Sequence, residues 1–598
     1  MRQLLPFSEN LFGNEVAILV AILTIGLCTA HYILQKARKS SLPLPPSPPA
    51  RAWTGHIHAP LHNGHQYFEL LRTCGPLALL KRGPSFPFPF SPAYTPASNI
   101  LVLNTVDSAV ELLERRGARY SSRPRSIAAG EHLSGGRRMV MMAYGDRWRR
   151  HHRAFAQVVN TKNVPTWRRA MEAESEQLLR ELLALPANSD VPMDGADVAG
   201  FPALTSRFTA STVLQLAYAR RAPTPAEPVL RDLAQVSALI FDAFTPGNYW
   251  VDRLPLLDYL PAWLSPWKRR LRTAHALDVR INGGLVEEVR VRLAAEADSE
   301  GGTPTVNKPS ICGVVPTSEC AAAVLLHEAD RFGLDSEDVA YLCAQLFEAG
   351  TETTAMTLNT LLLACAAYPA VCARAQAELD AIVPPGRLPT FNDLRKAPYV
   401  RALIREALRL TPTGSTGVGH VSTSEVDEEY AGLRVPAGCM ILANHYGIHH
   451  DAEEYPDPWR FAPERWIDAD GDIVVRDDND TLPKGWHAAS LDLTRGHHAF
   501  GFGRRICPGL HLAANSRVFN YLIPFVEHAD TESQLELLYH EFCGHSPPFQ
   551  QRLLTNSLGP IRHHQDTLLC SKGLESGSKG SWTRTMCSPL GAGILGGV

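Results

Sequence analysis

Residues 500–509 read Phe-Gly-Phe-Gly-Arg-Arg-Ile-Cys-Pro-Gly and set one cysteine, Cys507, in a glycine-bearing turn, with a cation two residues before it and an apolar stretch behind it. A cysteine ligates a metal as a thiolate, which nearby positive charge, backbone N–H donors and a helix N-terminus all stabilise. Gly501, Gly503 and Gly509 open tight backbone conformations that let main-chain N–H groups approach the sulfur. Pro508 suits the first turn of a helix that residues 510–514 can continue. No second Cys or His stands at zinc spacing, which argues against a tetrahedral site. A chain that carries this run must hold a thiolate loop against a metal whose other ligands come from elsewhere.

Haem supplies those other ligands, and a Cys thiolate is one of its axial partners. The run resembles the Phe-x-x-Gly-x-Arg-x-Cys-x-Gly signature of the cytochrome P450 family, with Phe500, Gly503, Arg505, Cys507 and Gly509 in the matching places. The resemblance implies haem b with Cys507 as proximal ligand and a mainly α fold with small β-sheets behind an N-terminal transmembrane helix.

A second constellation is Ala349-Gly350-Thr351-Glu352-Thr353-Thr354, inside the helical run 336–367. Glycine and three threonines are poor helix-interior residues, so a local kink is expected there. By resemblance the patch overlies the distal haem face, with Glu352 and Thr353 as the acid and hydroxyl that deliver protons to dioxygen, a relay that needs ordered water and a site closed to bulk solvent. Glu348 precedes it, where the family more often has a small or apolar residue.

Glu406 and Arg409 lie three apart on the helix 399–410 and share a face. Such pairs are common on solvated helices, but they match the buried Glu-x-x-Arg pair of the family, which Arg465 in Ala462-Pro463-Glu464-Arg465-Trp466 completes. These three are assigned to folding and haem retention. The segment 145–153 departs from pattern: it resembles the Trp-x-x-x-Arg propionate helix, with His152 standing four residues after Trp148. A histidine can donate to a carboxylate and gains charge beside an anion, but it lacks the bidentate fork. Arg153 sits about 100° away around a helix. Trp148, His152, His420 and Arg505 are the candidate propionate partners.

Organisation follows from apolar runs and prolines. Residues 16–34 are nearly all apolar and are followed by Lys36, Arg38 and Lys39. A spanning helix needs about 20 such residues, and charge after rather than before the run favours a retained anchor over a cleaved signal. This gives an anchor at 1–40, a proline-rich hinge at 41–52, and a catalytic domain at 53–526. The atypical tail, 527–598, contains a Gly/Ser-rich stretch and reads as linker or as an error of gene structure. Amphipathic stretches at 167–185, 228–244, 269–295, 336–367 and 370–382 dominate, with Pro369 as a boundary; strands are short, at 100–103 and 438–443. Aromatic and proline residues interleave from Phe241 to Trp267, and by resemblance this stretch lines substrate entry and touches the membrane.

Of 598 residues 45% are hydrophobic and 20% charged, with net charge −3, and no basic excess points to nucleic acid. Twelve cysteines without repeating spacing suit a reducing compartment. The resemblance, which has a fungal microsomal flavour in 120–124 and 444–451, implies an endoplasmic reticulum monooxygenase with a cytosolic catalytic domain. It would act on a lipophilic molecule with O2, taking electrons from NADPH through a separate cytochrome P450 reductase. A haem-thiolate isomerase or dehydratase using no O2, or a non-catalytic product, are the alternatives.

Overall fold

The computed structural model describes residues 42–49, 56, 65–81, 99–184, 201–245, 247–299, 315–385, 387–471, 473 and 497–514, with the single residue Gly26. The apolar run 16–34, the proline-rich stretch 84–90 and the tail 527–598 lie outside them.

Helices carry most of the fold: α1 (His65–Arg72), α2 (Asp146–Val158), α3 (Val164–Leu183), α4 (Phe201–Tyr218), α5 (Pro228–Phe244), α6 (Pro266–Ser299), α7 (Ala321–Phe332), α8 (Ser336–Ala367), α9 (Pro369–Ile382), α10 (Pro398–Leu410), α11 (His445–His449) and α12 (Leu510–Ala514). Two small sheets accompany them. Strands β1 (Leu77–Lys81), β2 (Asn99–Leu103), β3 (His420–Val421) and β6 (Met440–Ala443) form one sheet in the order β1-β2-β6-β3, parallel only between β2 and β6. Strands β4 (Glu428–Tyr430) and β5 (Leu433–Val435) form a hairpin.

Helix α8 is the axis. Asp335 caps it through a reciprocal pair with Asp338, which satisfies two of the N–H groups a helix start leaves open. Its 32 residues span about 48 Å at 1.5 Å each, and its N-terminal half is buried on nearly every side. Pro369 occupies the first turn of α9, and the axis turns by 106° between the two helices, because a proline cannot extend the preceding ladder.

Helix α4 packs along α8 in one core cluster, yet no amphipathic stripe marks it in the sequence. It is buried on most of its surface, and its hydroxyls turn inward: Thr209 and Thr212 donate to the carbonyls of Thr205 and Phe208. Gly350 is explained here. A Cβ at that position would come 2.9 Å from Val213 Cγ2 on α4, and a β-branched neighbour has little freedom to move aside. The expected kink at 349–354 is absent; α8 runs through it as continuous helix, so glycine serves the helix crossing rather than a break.

The proline-rich segment is docked rather than free. Pro46 and Pro43 carbonyls accept from the Leu79 and Arg434 N–H groups at 2.8 Å each, laying residues 43–48 against β1 and the β4–β5 hairpin.

Glu406 and Arg409 on α10 are fully buried. Arg409 donates to both Glu406 oxygens at 2.8 and 2.9 Å, Arg465 Nε donates at 2.9 Å, Trp466 Nε1 at 2.9 Å and the Ala462 N–H at 3.0 Å. The carboxylate therefore takes five donors from two segments, α10 and residues 462–466. Burial alone would raise its pKa, but Arg409, Arg465 and the Ala462 N–H hold it below the ordinary glutamate value. Glu406→Ala would leave Arg409 buried without its counter-charge and should cost about 3–5 kcal/mol, read by chemical denaturation. A depressed carboxyl contributes stability that is fully present above its unfolded value of about 4.3 and is lost as pH falls through the lower folded value. The stability gap between wild type and Glu406→Gln should accordingly narrow in acid below about pH 4.3, and a gap that widens there would contradict the assignment.

Candidate functional site

The Cys507 loop is closed by its own backbone. The Cys507 N–H donates to Phe500 O at 2.9 Å, Ile506 N–H to Gly503 O at 3.1 Å, and Gly501 N–H to His498 O at 3.0 Å. Gly501 and Gly503 have φ of +81° and +59°, the left-handed region that favours glycine. Gly503 also lies so close to residues 110–115 that a Cβ would come 2.1 Å from the Leu113 carbonyl oxygen. No side chain fits there. Gly509 serves differently, through its N–H: burial pushes the Cys507 thiol up, while the Gly509 and Leu510 N–H groups on the sulfur draw it down.

Arg505, the expected cation, turns elsewhere. Its guanidinium donates to the Ser121, Met139 and Met142 carbonyls at 2.8, 3.2 and 2.6 Å and lies 4.3 Å from the Trp148 ring centroid. Arg123 is held similarly, donating to the Val140, Val418 and Gly419 carbonyls. Neither has a carboxylate partner among the described residues. Burial lowers Arg505 to about 10 against a slight lift from Tyr144, and burial with the neighbouring Arg505 charge lowers Arg123 to about 9.

Three more of the expected residues gather round these two cations. His420 is buried at the start of β3, with Nδ1 2.7 Å from the Tyr120 carbonyl oxygen, and burial followed by Arg123 presses its pKa well below the ordinary value. Trp148 is buried on α2 and His152 stacks on it one turn later, ring centroids 4.7 Å apart. Burial, then the Arg505 charge, lower the His152 pKa. Arg153 points away and is exposed. Arg123 was not among the residues singled out from the sequence. An Arg beside Ser122 and Pro124 is ordinary loop composition, and only the folded chain reveals that its charge is buried and unmatched.

Glu352 and Thr353 stand out on α8. The N-terminal half of that helix is buried, but Ala349, Glu352, Thr353 and Met356 are open. Positions i, i+3, i+4 and i+7 form one stripe, so a long core helix exposes one narrow face midway along its length. Thr353 Oγ1 donates to Ala349 O at 2.6 Å, as Thr351 does to Phe347 O at 2.8 Å. Among the described residues no hydrogen bond links Glu352 or Thr353 to the Cys507 loop.

The buried carboxylate of Glu406 does reach that loop. Arg409 Nη1 donates to the His449 carbonyl at 2.8 Å, and His449 Nε2 accepts from the His498 N–H at 3.0 Å. His498 in turn receives Gly501. The pair on α10 is thus joined to the cysteine loop through α11.

This donor set fits haem. A sulfur with two N–H donors suits an axial thiolate ligand. Two guanidiniums without counter-charge, Arg123 buried and Arg505 half-buried, with His420 and Trp148 alongside, suit a group carrying carboxylates. No cluster of three or more His, Cys, Asp or Glu side chains among the described residues could hold a bare metal ion.

Comparison with known proteins agrees with this geometry. The family profile described as cytochrome P450 matches residues 88–528. Cytochrome P450 monooxygenase 58 of Postia placenta is 32% identical over 508 residues, covering 85% of this chain and 84% of that protein. Cytochrome P450 monooxygenase aneD of Aspergillus aculeatus is 30% identical over 476 residues, covering 79% and 78%. Among solved structures, a zebra fish cytochrome P450 crystallised with abiraterone shares the fold, with TM-score 0.54 and 21% identity over 77% of this chain and 90% of that one. The chain belongs to the cytochrome P450 family of haem-thiolate monooxygenases.

Proposed function

We propose that this chain is a membrane-attached monooxygenase that uses Cys507 as proximal ligand, acts on a lipophilic small molecule and takes electrons from NADPH through a separate cytochrome P450 reductase. The observation that carries the reading is the Cys507 loop, a sulfur bearing two backbone N–H donors, together with two arginines, Arg123 and Arg505, that no carboxylate among the described residues matches. Haem, when bound, supplies the redox centre at which dioxygen is reduced and a C–H bond is oxidised. A coordinating thiol is deprotonated outright by its metal, which would overcome the upward push of burial that the two N–H donors only partly offset.

The chain's own side chains then divide the work. Arg123, Arg505, His420, Trp148 and His152 hold the propionates, the arginines by charge, His420 through the nitrogen left over from Tyr120, and His152 by packing on Trp148. Phe500 and Gly509 shape the loop. Glu352 and Thr353 manage protons on the open stripe of α8. The Thr353 hydroxyl donates to Ala349 and keeps its lone pairs available, so it accepts from an ordered water that Glu352 supplies.

Membrane attachment has two supports. One is the apolar run 16–34. The other is the segment around α5 and the start of α6, where Phe241, Trp250, Leu254, Leu256, Tyr259, Trp263 and Leu264 are exposed while Phe244 and Tyr249 pack inward. The aromatic stripe is thus split between core and surface, and its outer half is a contiguous apolar patch of the kind that marks membrane or partner contact. Arg269 and Arg272 are exposed beside it, which suits an anionic lipid surface.

Reduced protein exposed to carbon monoxide should show the far red-shifted Soret band of thiolate-bound haem, and Cys507→Ser should abolish it. Absence of the band in the wild type would remove the functional reading. Thr353→Ala should retain the band but divert electrons to hydrogen peroxide, lowering product formed per NADPH by about tenfold or more. In full-length protein on vesicles, brominated lipid should quench tryptophan fluorescence, and because residues 1–40 carry no tryptophan, replacing Trp250 and Trp263 with Phe should remove most of that quenching.

A further inference from the structure

Glu348 lies one turn before Glu352 on α8, and the structure ties it to two other elements. Its Oε2 accepts from Arg138 Nη1, and Arg138 Nη2 donates to Asp278 on α6. The guanidinium is thus shared by two carboxylates while being 1% exposed. The two are not equally served. Asp278 also accepts from Asn282 Nδ2 at 2.8 Å and is hydrogen-bonded to the Tyr341 hydroxyl, which in turn meets His275 Nδ1 at 2.8 Å. Glu348 has Arg138 alone, and its Oε1 is buried without a partner. One guanidinium cannot neutralise two carboxylates, and Asp278 has further donors that Glu348 lacks.

Of the two carboxylates, Glu348 is the one whose charged form has Arg138 alone to stabilise it. Burial first, then the Asp278 charge, raise its pKa to about 7 against the pull of Arg138. The remaining groups facing it are Tyr341 on its own helix and Tyr218 on α4. Helical side chains lean toward the N-terminus, so residues four apart on one face stack with Cβ atoms about 5–6 Å apart. Glu352 thus rises over the turn that carries Glu348. Unlike Arg138 and Asp278, the Glu348 side chain keeps 19% of its surface open, beside the exposed Ala349.

We propose that Glu348 is a second acid of the distal site, a proton reservoir that recharges Glu352. The O–H bond of the Glu348 carboxylic acid breaks and an O–H bond forms on the Glu352 carboxylate; no electrons are exchanged. Arg138, which does not give up its own proton, stabilises the Glu348 carboxylate left behind, and water at the open flank reprotonates it. Arg138 and Asp278 are positioning residues that set when Glu348 is loaded. This inference rests on the monooxygenase reading of the same helix.

Infrared pH-difference spectroscopy of the full-length haem protein tests it. A carboxylic-acid C=O band should titrate near pH 7, disappear in Glu348→Gln, and move to lower pH in Asp278→Asn, where Arg138 serves Glu348 alone. With NADPH, reductase and oxygen but no added substrate, Glu348→Gln should release about threefold more hydrogen peroxide per oxygen consumed, a smaller effect than loss of a direct proton donor, and Glu348→Asp should restore most of the wild-type ratio. A band that persists in Glu348→Gln, or a peroxide ratio unchanged across pH, overturns the proposal. If Glu348→Gln does not fold, an unshifted band in Asp278→Asn overturns it equally. A purely structural bridge would lower thermal stability without moving the peroxide ratio. The carbon monoxide band, expected in every variant, separates failure of this inference from failure of the haem reading.

Discussion

The five donors on the buried Glu406 carboxylate are the interaction on which the rest of the structure depends. A carboxylate and guanidinium this deep persist only if every oxygen and nitrogen is served, since either one left alone would carry an uncompensated charge. That requirement fixes α10 against residues 461–466 and, through Arg409 and the His449 carbonyl, against α11. From His449 the constraint passes to His498 and so to the loop of Cys507. A residue with no contact to the sulfur thereby holds the loop that presents it.

Around the loop, glycine does what no other residue could. At Gly503 both the backbone conformation and the approach of the Leu113 carbonyl forbid a side chain, and at Gly350 the constraint comes from Val213 alone. These are two separate steric demands, one holding the proximal loop to residues 110–115 and the other letting α4 and α8 cross closely. The electrostatics of the site follow a similar logic: Arg123 and Arg505 are anchored by carbonyl dipoles rather than by carboxylates, so their charges remain available to an anionic group.

Much of the site was legible because local sequence and local geometry coincide. The Phe500 to Gly509 run closes on its own hydrogen bonds, and the pairing of Glu406 with Arg409 follows from three-residue spacing on a helix. The boundary at Pro369 likewise needs only the missing N–H of proline. What was not legible depended on distant partners. Helix α4 lacks a polar face and so lacks a period to read. The glycine and threonines of α8 suggested a kink, because propensity describes an isolated helix and not one crossed at Gly350 by a neighbour. The prolines of residues 43–48 read as a hinge without marking their docking, because it uses carbonyls, which every residue has.

The sequence by itself determined the cysteine loop and the buried acid–base pair, each carried by residues close together in the chain. Tertiary structure alone decided the charge balance. Arg123, Arg138, Asp278, Glu348 and Arg505 come from five separate stretches, and nothing in their local sequence shows that two cations, Arg123 and Arg505, lack an anion while two carboxylates share Arg138. The physical reason is that burial removes the solvent that would otherwise screen and satisfy each charge. Which charges are buried together is a property of the fold and not of any short segment.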